Sequence, residues 1–167
     1  MRMSRGVFLA AILVVALAMA FGATGLFTGT GSSPSHGICT ADGRPVVRLY
    51  STTMCPHCRW IKDTFDSVVR EYASRGEIVA HHWELDTGDD TLSRRVETRV
   101  PSEEVWIYQQ FNPRSTVPTF VFGCRYYRIG NGYEGRKDLK SEEREFREII
   151  RAMVEGREPA LSTFKQP

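Results

Sequence analysis

The sequence predicts a layered α/β domain. Three features lead there: short runs rich in β-branched and aromatic residues, segments whose apolar residues recur every three or four positions, and the alternation of the two along the chain. "PVVRLY" (45–50) reads as the first strand. After it, Cys58, Ile61, Phe65, Val68, Val69 and Tyr72 form one face of an amphipathic helix from about Pro56 to Ala73, closed by Gly76. Pro56 suits a first helical turn, where its missing N–H costs nothing. "EIVAHHWEL" (77–85) reads as a second strand and "VPTFVFGC" (117–124) as a third. "RYYRIGNGYEG" (125–135) reads as a turn with a further edge strand. Between Thr87 and Pro113 the chain is polar; its best helical segment is "SEEVWIYQQF" (102–111), with Ser102 as N-cap. "SEEREFREIIRAMVEG" (141–156) is a strong helix capped by Ser141, with Phe146, Ile149, Ile150, Met153 and Val154 as its stripe and Gly156 as its stop.

The 167 residues suffice for one domain plus extensions, and 25% charged with 41% apolar residues fits a globular chain. Basic residues outnumber acidic ones 22 to 20, and Arg2 and Arg5 account for that surplus. The body is neutral, with no basic stripe of the kind that binds nucleic acid. From Val7 to Phe27 run 21 residues without a charge, about the ~20 needed to span a bilayer. The next lysine or arginine after Arg5 is Arg44, an asymmetry that keeps the N-terminus cytoplasmic and sends the rest across. Residues 1–27 are therefore expected to be a transmembrane signal anchor. The alternative is a signal peptide cleaved near the small residues Ala16, Ala18 and Ala20, which would leave the protein secreted. Residues 28–37, "TGTGSSPSHG", read as a flexible linker, 38–160 as the domain and 161–167 as a tail.

The helix placement gives the pair in "YSTTMCPHCRW" (50–60) unequal roles. Cys58 shares the stripe of Ile61 and Phe65 and should face the core. Cys55 precedes the helix, where free N–H groups and the helix dipole favour negative charge. A thiolate there is activated. Stepwise exchange needs that asymmetry: Cys55 attacks a substrate disulfide and Cys58 resolves the mixed disulfide. His57 can donate to, or charge-pair with, the Cys55 sulfur.

The strand leading into CPHC at the start of a helix, then "TVPT" (116–119) before a strand, a hairpin and a last helix, resembles the thioredoxin-like superfamily over roughly residues 44–156. The resemblance implies a central mixed sheet flanked by helices and protein-disulfide oxidoreductase activity at Cys55 and Cys58, supported by Pro56, His57, Val117 and Pro118, with no cofactor. It makes Pro118 the family's cis proline, facing the cysteine pair, and Val117 the residue that offers backbone to a substrate peptide. Leu49 stands where thioredoxins carry a buried acid. Residues 87–100 look like an insertion, too short for the helical domain of the periplasmic oxidases. The Pro-His loop points to the oxidising or isomerising end; a tethered domain also suits a reductant fed by a membrane electron-transfer partner. Protein thiols and disulfides are the expected partners.

In this family the strand before the motif and the strand after the proline are antiparallel neighbours, so Pro45 and Cys124 should meet at the end away from the motif. Cys39 is close enough to fold back there, and the resemblance thus implies a structural Cys39–Cys124 disulfide; an exchange relay between this pair and Cys55 is the alternative. Two further readings stay open. One is a copper or zinc carrier using Cys55, Cys58 and His57, to which His81 or His82 could add only one ligand because neighbouring strand residues face opposite ways. The other is an interaction module whose thiols are incidental. Trp106, Tyr108 and Phe111 read either as an apolar rim or as a helix face packed on the sheet. Arg94, Arg95 and Arg99 read as a solvated face. Glu84 and Asp86 fall near a strand end.

Overall fold

The computed structural model describes residues 38–160 and 163–167. The expected anchor and linker lie outside the described residues, among which no helix is long and apolar enough to cross a membrane.

Thr40–Ala41 (β1) folds back as a short antiparallel partner of Arg44–Ser51 (β2), pairing Thr40 with Pro45. The helix that carries the CPHC motif, Pro56–Ser74 (α1), follows. Then come Val79–Glu84 (β3), Asp89–Asp90 (β4), Ser102–Phe111 (α2), Thr119–Phe122 (β5), Tyr126–Ile129 (β6), a short 3₁₀ turn at Glu134–Arg136, and Leu139–Glu155 (α3). The sheet order is β4-β3-β2-β5-β6, with β1 beside β2. β2 and β3 are parallel and the other pairs antiparallel, so the sheet is mixed.

Side-chain alternation along β2 builds two cores. Val47 and Leu49 meet Ile61, Phe65 and Val69 of α1 and Phe146, Ile149 and Ile150 of α3. Tyr50 faces the other way, joining Trp83 and Val121 against Ile107, Tyr108 and Phe111 of α2. With helices on both faces, the central strands are buried on both sides, which is why β2 and β5 read as nearly unbroken apolar runs.

Several boundaries differ from expectation. Ser102 is the first residue of α2, behind Pro101, and makes no side-chain cap. Asp138, not Ser141, caps α3; its carboxylate accepts the Ser141 N–H at 3.0 Å. Val154 falls off the buried stripe and is 43% exposed. Gly156 does end α3, in left-handed conformation (φ +67°). The predicted tail returns to the domain: Phe164 is buried in the α1/α3 core, and Lys165 exchanges both backbone hydrogen bonds with Tyr127 at the edge of β6.

Candidate active site

Cys55 is the N-cap of α1, with Pro56 as the first helical residue. Its backbone is extended (φ −75°, ψ 116°), and its sulfur accepts the Cys58 N–H at 3.1 Å. A cap position normally filled by a Ser or Asp oxygen is here filled by sulfur. The first turn of α1 carries no acidic side chain, so nothing in it competes with negative charge on that sulfur. Cys58 is 1% exposed and joins the buried stripe, whereas Cys55 is half-buried. The two are at disulfide distance, with Cα atoms 5.2 Å apart.

The loop before β5 completes the front of the site. Its Val117–Pro118 bond is cis, and the Val117 carbonyl oxygen lies 3.9 Å from Cys55 Sγ. Cys55, Pro56, His57, Cys58, Val117 and Pro118 thus come from two segments, the start of α1 and the loop before β5, joined at the Cys55–Val117 contact, with Cys58 and Pro118 buried.

Two residues beside this site, Glu134 and Asn131, were not foreseen. His57 turns Nδ1 to both carboxylate oxygens of Glu134, at 2.9 and 2.8 Å. Asn131 donates to the His57 carbonyl at 3.0 Å and to Glu134 at 2.8 Å, tying the post-β6 loop to the motif. Burial of the Glu134 carboxyl works against ionisation, but the Asn131 and His57 hydrogen bonds and the His57 charge outweigh it and hold the group below the ordinary glutamate range. Asp86 accepts the Thr53 N–H at 3.1 and 3.0 Å and the Thr53 hydroxyl, pinning the approach to Cys55; these bonds hold its carboxyl low. The Glu84 carboxylate, by contrast, accepts a hydrogen bond from the neighbouring Thr87 hydroxyl at 3.4 Å. "GNGYEG" gave no signal for Glu134 beyond a turn, and its partner lies 77 residues away.

Cys39 and Cys124 form a disulfide at the other end of β2, with Cα atoms 5.3 Å apart. The Cys39 N–H reaches Gly123 O at 2.7 Å, and Gly123 N–H reaches Val46 O at 2.8 Å. Gly123 and Cys124 both have left-handed backbone (φ +59° and +53°) in the tight β5–β6 turn. Nothing places this pair near Cys55.

His81 and His82 face opposite sides of β3, as alternation requires, and each is paired: His81 with Asp90 at 2.7 Å, His82 with Asp66 at 2.8 Å. Among the described residues, no group of three or more His, Cys, Asp or Glu side chains could hold a metal ion. Tyr108 and Phe111 pack on the sheet, while Trp106 is 63% exposed; Arg94, Arg95 and Arg99 are exposed. A groove of about 500 Å³ between Phe111, Arg114, Tyr127 and Lys165 includes none of the motif residues.

Comparison with known proteins adds little. No known family and no curated protein matches the chain. A crystal structure of an Agrobacterium tumefaciens protein is similar over 60% of this chain and 45% of its own length, with 21% identity and a TM-score of 0.31. The chain therefore spans less than half of that protein, and so slight a likeness places neither fold nor function.

Proposed function

We propose that residues 38–167 form a thioredoxin-like domain that exchanges disulfides with protein substrates through Cys55 and Cys58, held outside the cytoplasm by the N-terminal apolar segment. One observation carries this reading: a half-exposed sulfur at the N-cap of α1 accepts a backbone N–H, faces the Val117 carbonyl, and has a buried cysteine three residues on as its partner. Zinc or purely structural pairs have no need of that asymmetry.

In the reducing direction, the Cys55 thiolate attacks one sulfur of a substrate disulfide. A Cys55–substrate bond forms, and the other substrate sulfur leaves with the electron pair and takes a proton. The Cys58 thiolate then attacks Cys55; the Cys55–Cys58 bond forms, and the second substrate sulfur departs as thiolate. The substrate gains two electrons and the pair loses two. The oxidising direction is the same sequence reversed. The Cys58 N–H, the N-terminal end of α1 and His57 all favour the Cys55 anion, which stabilises the reduced pair and makes its disulfide oxidising. The partners are protein thiols and disulfides, together with a membrane electron carrier that resets the pair.

The test is equilibration of the domain with glutathione buffers, read by alkylation and mass, alongside insulin reduction. A reversible Cys55–Cys58 couple that C55S abolishes is the expected result. A pair that never exchanges with glutathione, or equal insulin reduction by C55S, would overturn the reading.

A further inference from the structure

A pocket on the α2 side of the sheet takes no part in the exchange steps above. It encloses about 410 Å³ between the β3–β4 loop, residues 98–100 and α2, the size of a small-ligand site. Leu85, Val100, Val105 and Tyr108 give it apolar walls, and the exposed residues Asp86 and Arg99 line it as well. Much of the wall comes from the 87–100 segment rather than from the CPHC or cis-proline loops. That segment is folded tightly. Gly88 (φ +79°) passes so close to Arg99 that a Cβ on it would lie 2.5 Å from the Arg99 backbone N. The Glu97 N–H reaches the Asp89 carboxylate at 2.9 Å.

The pocket is tied to both segments of the exchange site. Its Asp86 carboxylate accepts the Thr53 N–H at 3.1 and 3.0 Å, two residues before Cys55. Two residues span at most ~7 Å, so that carboxylate lies within about 10 Å of the Cys55 backbone N. On the other side, the Tyr108 hydroxyl donates to Thr116 O at 3.0 Å, one residue before Val117, whose carbonyl faces Cys55. Leu85, Val100 and Val117 pack against the same buried cluster, which includes Tyr108. An extended peptide advances about 3.3 Å per residue, so a substrate segment about three residues from a cysteine held at Cys55 reaches the pocket.

We propose that this pocket selects protein substrates, taking an apolar side chain about three residues from the attacked cysteine between Leu85, Val100 and Val105, and a neighbouring carboxylate on Arg99. This rests on the oxidoreductase reading. Burial of a large apolar side chain supplies the affinity. Charge complementarity chooses its neighbour. The Arg99 guanidinium is exposed, and among the described residues no carboxylate pairs with it. The Asp86 carboxylate is committed to the Thr53 hydroxyl and N–H, which hold it below the ordinary aspartate range. It stays charged and repels a second carboxylate, so the acidic residue of the substrate goes to the Arg99 side. Arg99 and Val105 decide which substrate binds; the chemistry stays with Cys55 and Cys58.

The experiment mixes the reduced full-length protein with single-cysteine peptides joined by a disulfide to an aromatic thiol. Cys55 bonds to the peptide sulfur, and the coloured aromatic thiolate leaves with the electron pair, so absorbance gives the second-order rate. The peptides carry Leu-Glu, Leu-Lys or Ser-Lys three residues before or after the cysteine. On one side of the cysteine, Leu-Glu should react at least ~10-fold faster than Ser-Lys. V105D should erase the advantage of Leu. R99E should reverse the order of Leu-Glu and Leu-Lys, each preference being about 2–5-fold, a swap that damage to the fold cannot produce. Both variants should match wild type on the same aromatic thiol joined to free cysteine. Arg99 is exposed, so R99E keeps the test usable if V105D does not fold. Equal wild-type rates on all the peptides, or an unchanged order in R99E, would overturn the pocket. A wild type no faster than free cysteine on the control disulfide would instead remove the oxidoreductase reading, and the pocket's role with it.

Discussion

Both carboxylate oxygens of Glu134 lie within 2.9 Å of His57 Nδ1, although 77 residues separate the two in sequence. The contact makes the motif's histidine part of a charge pair anchored outside the motif. His57 is 63% exposed in its side chain, so without Glu134 the ring would have little to fix it. The carboxylate fixes the ring, which belongs to the dipeptide between the two cysteines.

From this pair follows a shift in redox poise. H57A removes the imidazole between the two cysteines, and E134Q weakens the carboxylate contact that fixes it. Both should make the Cys55 thiolate less stable and the disulfide less oxidising. A tenfold change in the exchange equilibrium is about 30 mV, and H57A is expected to move the potential by at least that, E134Q by less and in the same direction. Equilibration with glutathione measures it. A more oxidising E134Q would contradict the argument.

Acid should weaken the fold through a definable set of carboxylates. Asp86, Asp90, Glu134 and Asp138 are all held below their ordinary values: Asp86 and Asp138 chiefly by hydroxyl and backbone donors, Asp90 by His81 and backbone N–H groups against the cost of burial, and Glu134 as described above. A carboxyl with a lower value folded than unfolded binds fewer protons in the folded state. Its contribution is complete above the ordinary carboxylate range, about 4, and disappears as the pH falls through the depressed folded values. Denaturant midpoints should be flat from pH 7 to about 5 and fall below it. D90N should be less stable at neutral pH, with the gap to wild type closing in acid.

The α2 side of the sheet holds a buried ion pair that should behave unequally when broken or replaced. Arg48 Nε donates to Glu104 at 2.8 and 3.0 Å, and the Tyr50 hydroxyl donates to the same carboxylate at 2.8 Å. Burial, then the Glu104 charge, pushes the Tyr50 phenol far up, so it remains a donor. E104A leaves a buried guanidinium without its counter-charge and should cost about 3–5 kcal/mol. R48M/E104L removes both charges and should cost far less. Equal losses in the two variants, by urea unfolding, would show that the pair itself carries the stability.

The Cys39–Cys124 bridge closes 85 residues of sequence separation. For a loop of that length the chain-entropy account gives roughly 4 kcal/mol, often less in practice. C39S/C124S should therefore lower unfolding stability by about 2–4 kcal/mol while leaving exchange at Cys55–Cys58 unchanged, since the bridge lies at the far end of β2. A loss of exchange activity without a loss of stability would favour the relay role for the second pair.

Where local periodicity decides structure, the sequence was legible. The stripe Cys58, Ile61, Phe65, Val68, Val69, Tyr72 is the buried face of α1 without exception. The strands shorten at their ends because Gly123 and Cys124 turn left-handed and Pro118 precedes the ladder rather than joining it. The caps slipped because Asp138 offers a carboxylate three residues before Ser141, and Pro101 pre-empts Ser102. What could not be read was choice of partner at a distance. Arg48, Glu104, Arg128 and Glu142 look like surface residues one at a time and are buried only as pairs. Glu134 meets His57, and Ser51 meets His82, only once the chain has closed.

The same blindness hid the last segment, and it yields the strongest stability prediction. "TFKQP" carries one large apolar residue in a polar stretch, with no period to betray it. Yet Phe164 is 6% exposed, edge-on to Phe122 at 5.0 Å, with the Arg128 guanidinium 4.6 Å from its ring centre. That guanidinium is itself held by Glu142 at 2.5 Å and donates to the Thr163 hydroxyl at 2.7 Å. Thr163 N–H in turn reaches Glu145 at 2.7 Å. Removing the ring therefore opens a cavity and uncovers a buried charge at once. F164A should cost about 3–5 kcal/mol, as for other buried aromatic deletions, and F164L much less. A chain ending at residue 160 should lose at least as much as F164A, because the backbone bonds of Lys165 to Tyr127 go too and leave the edge of β6 open. Thermal and denaturant unfolding of the oxidised protein decide it: a truncated chain as stable as the full one would mean that Phe164 does not fill the core in solution.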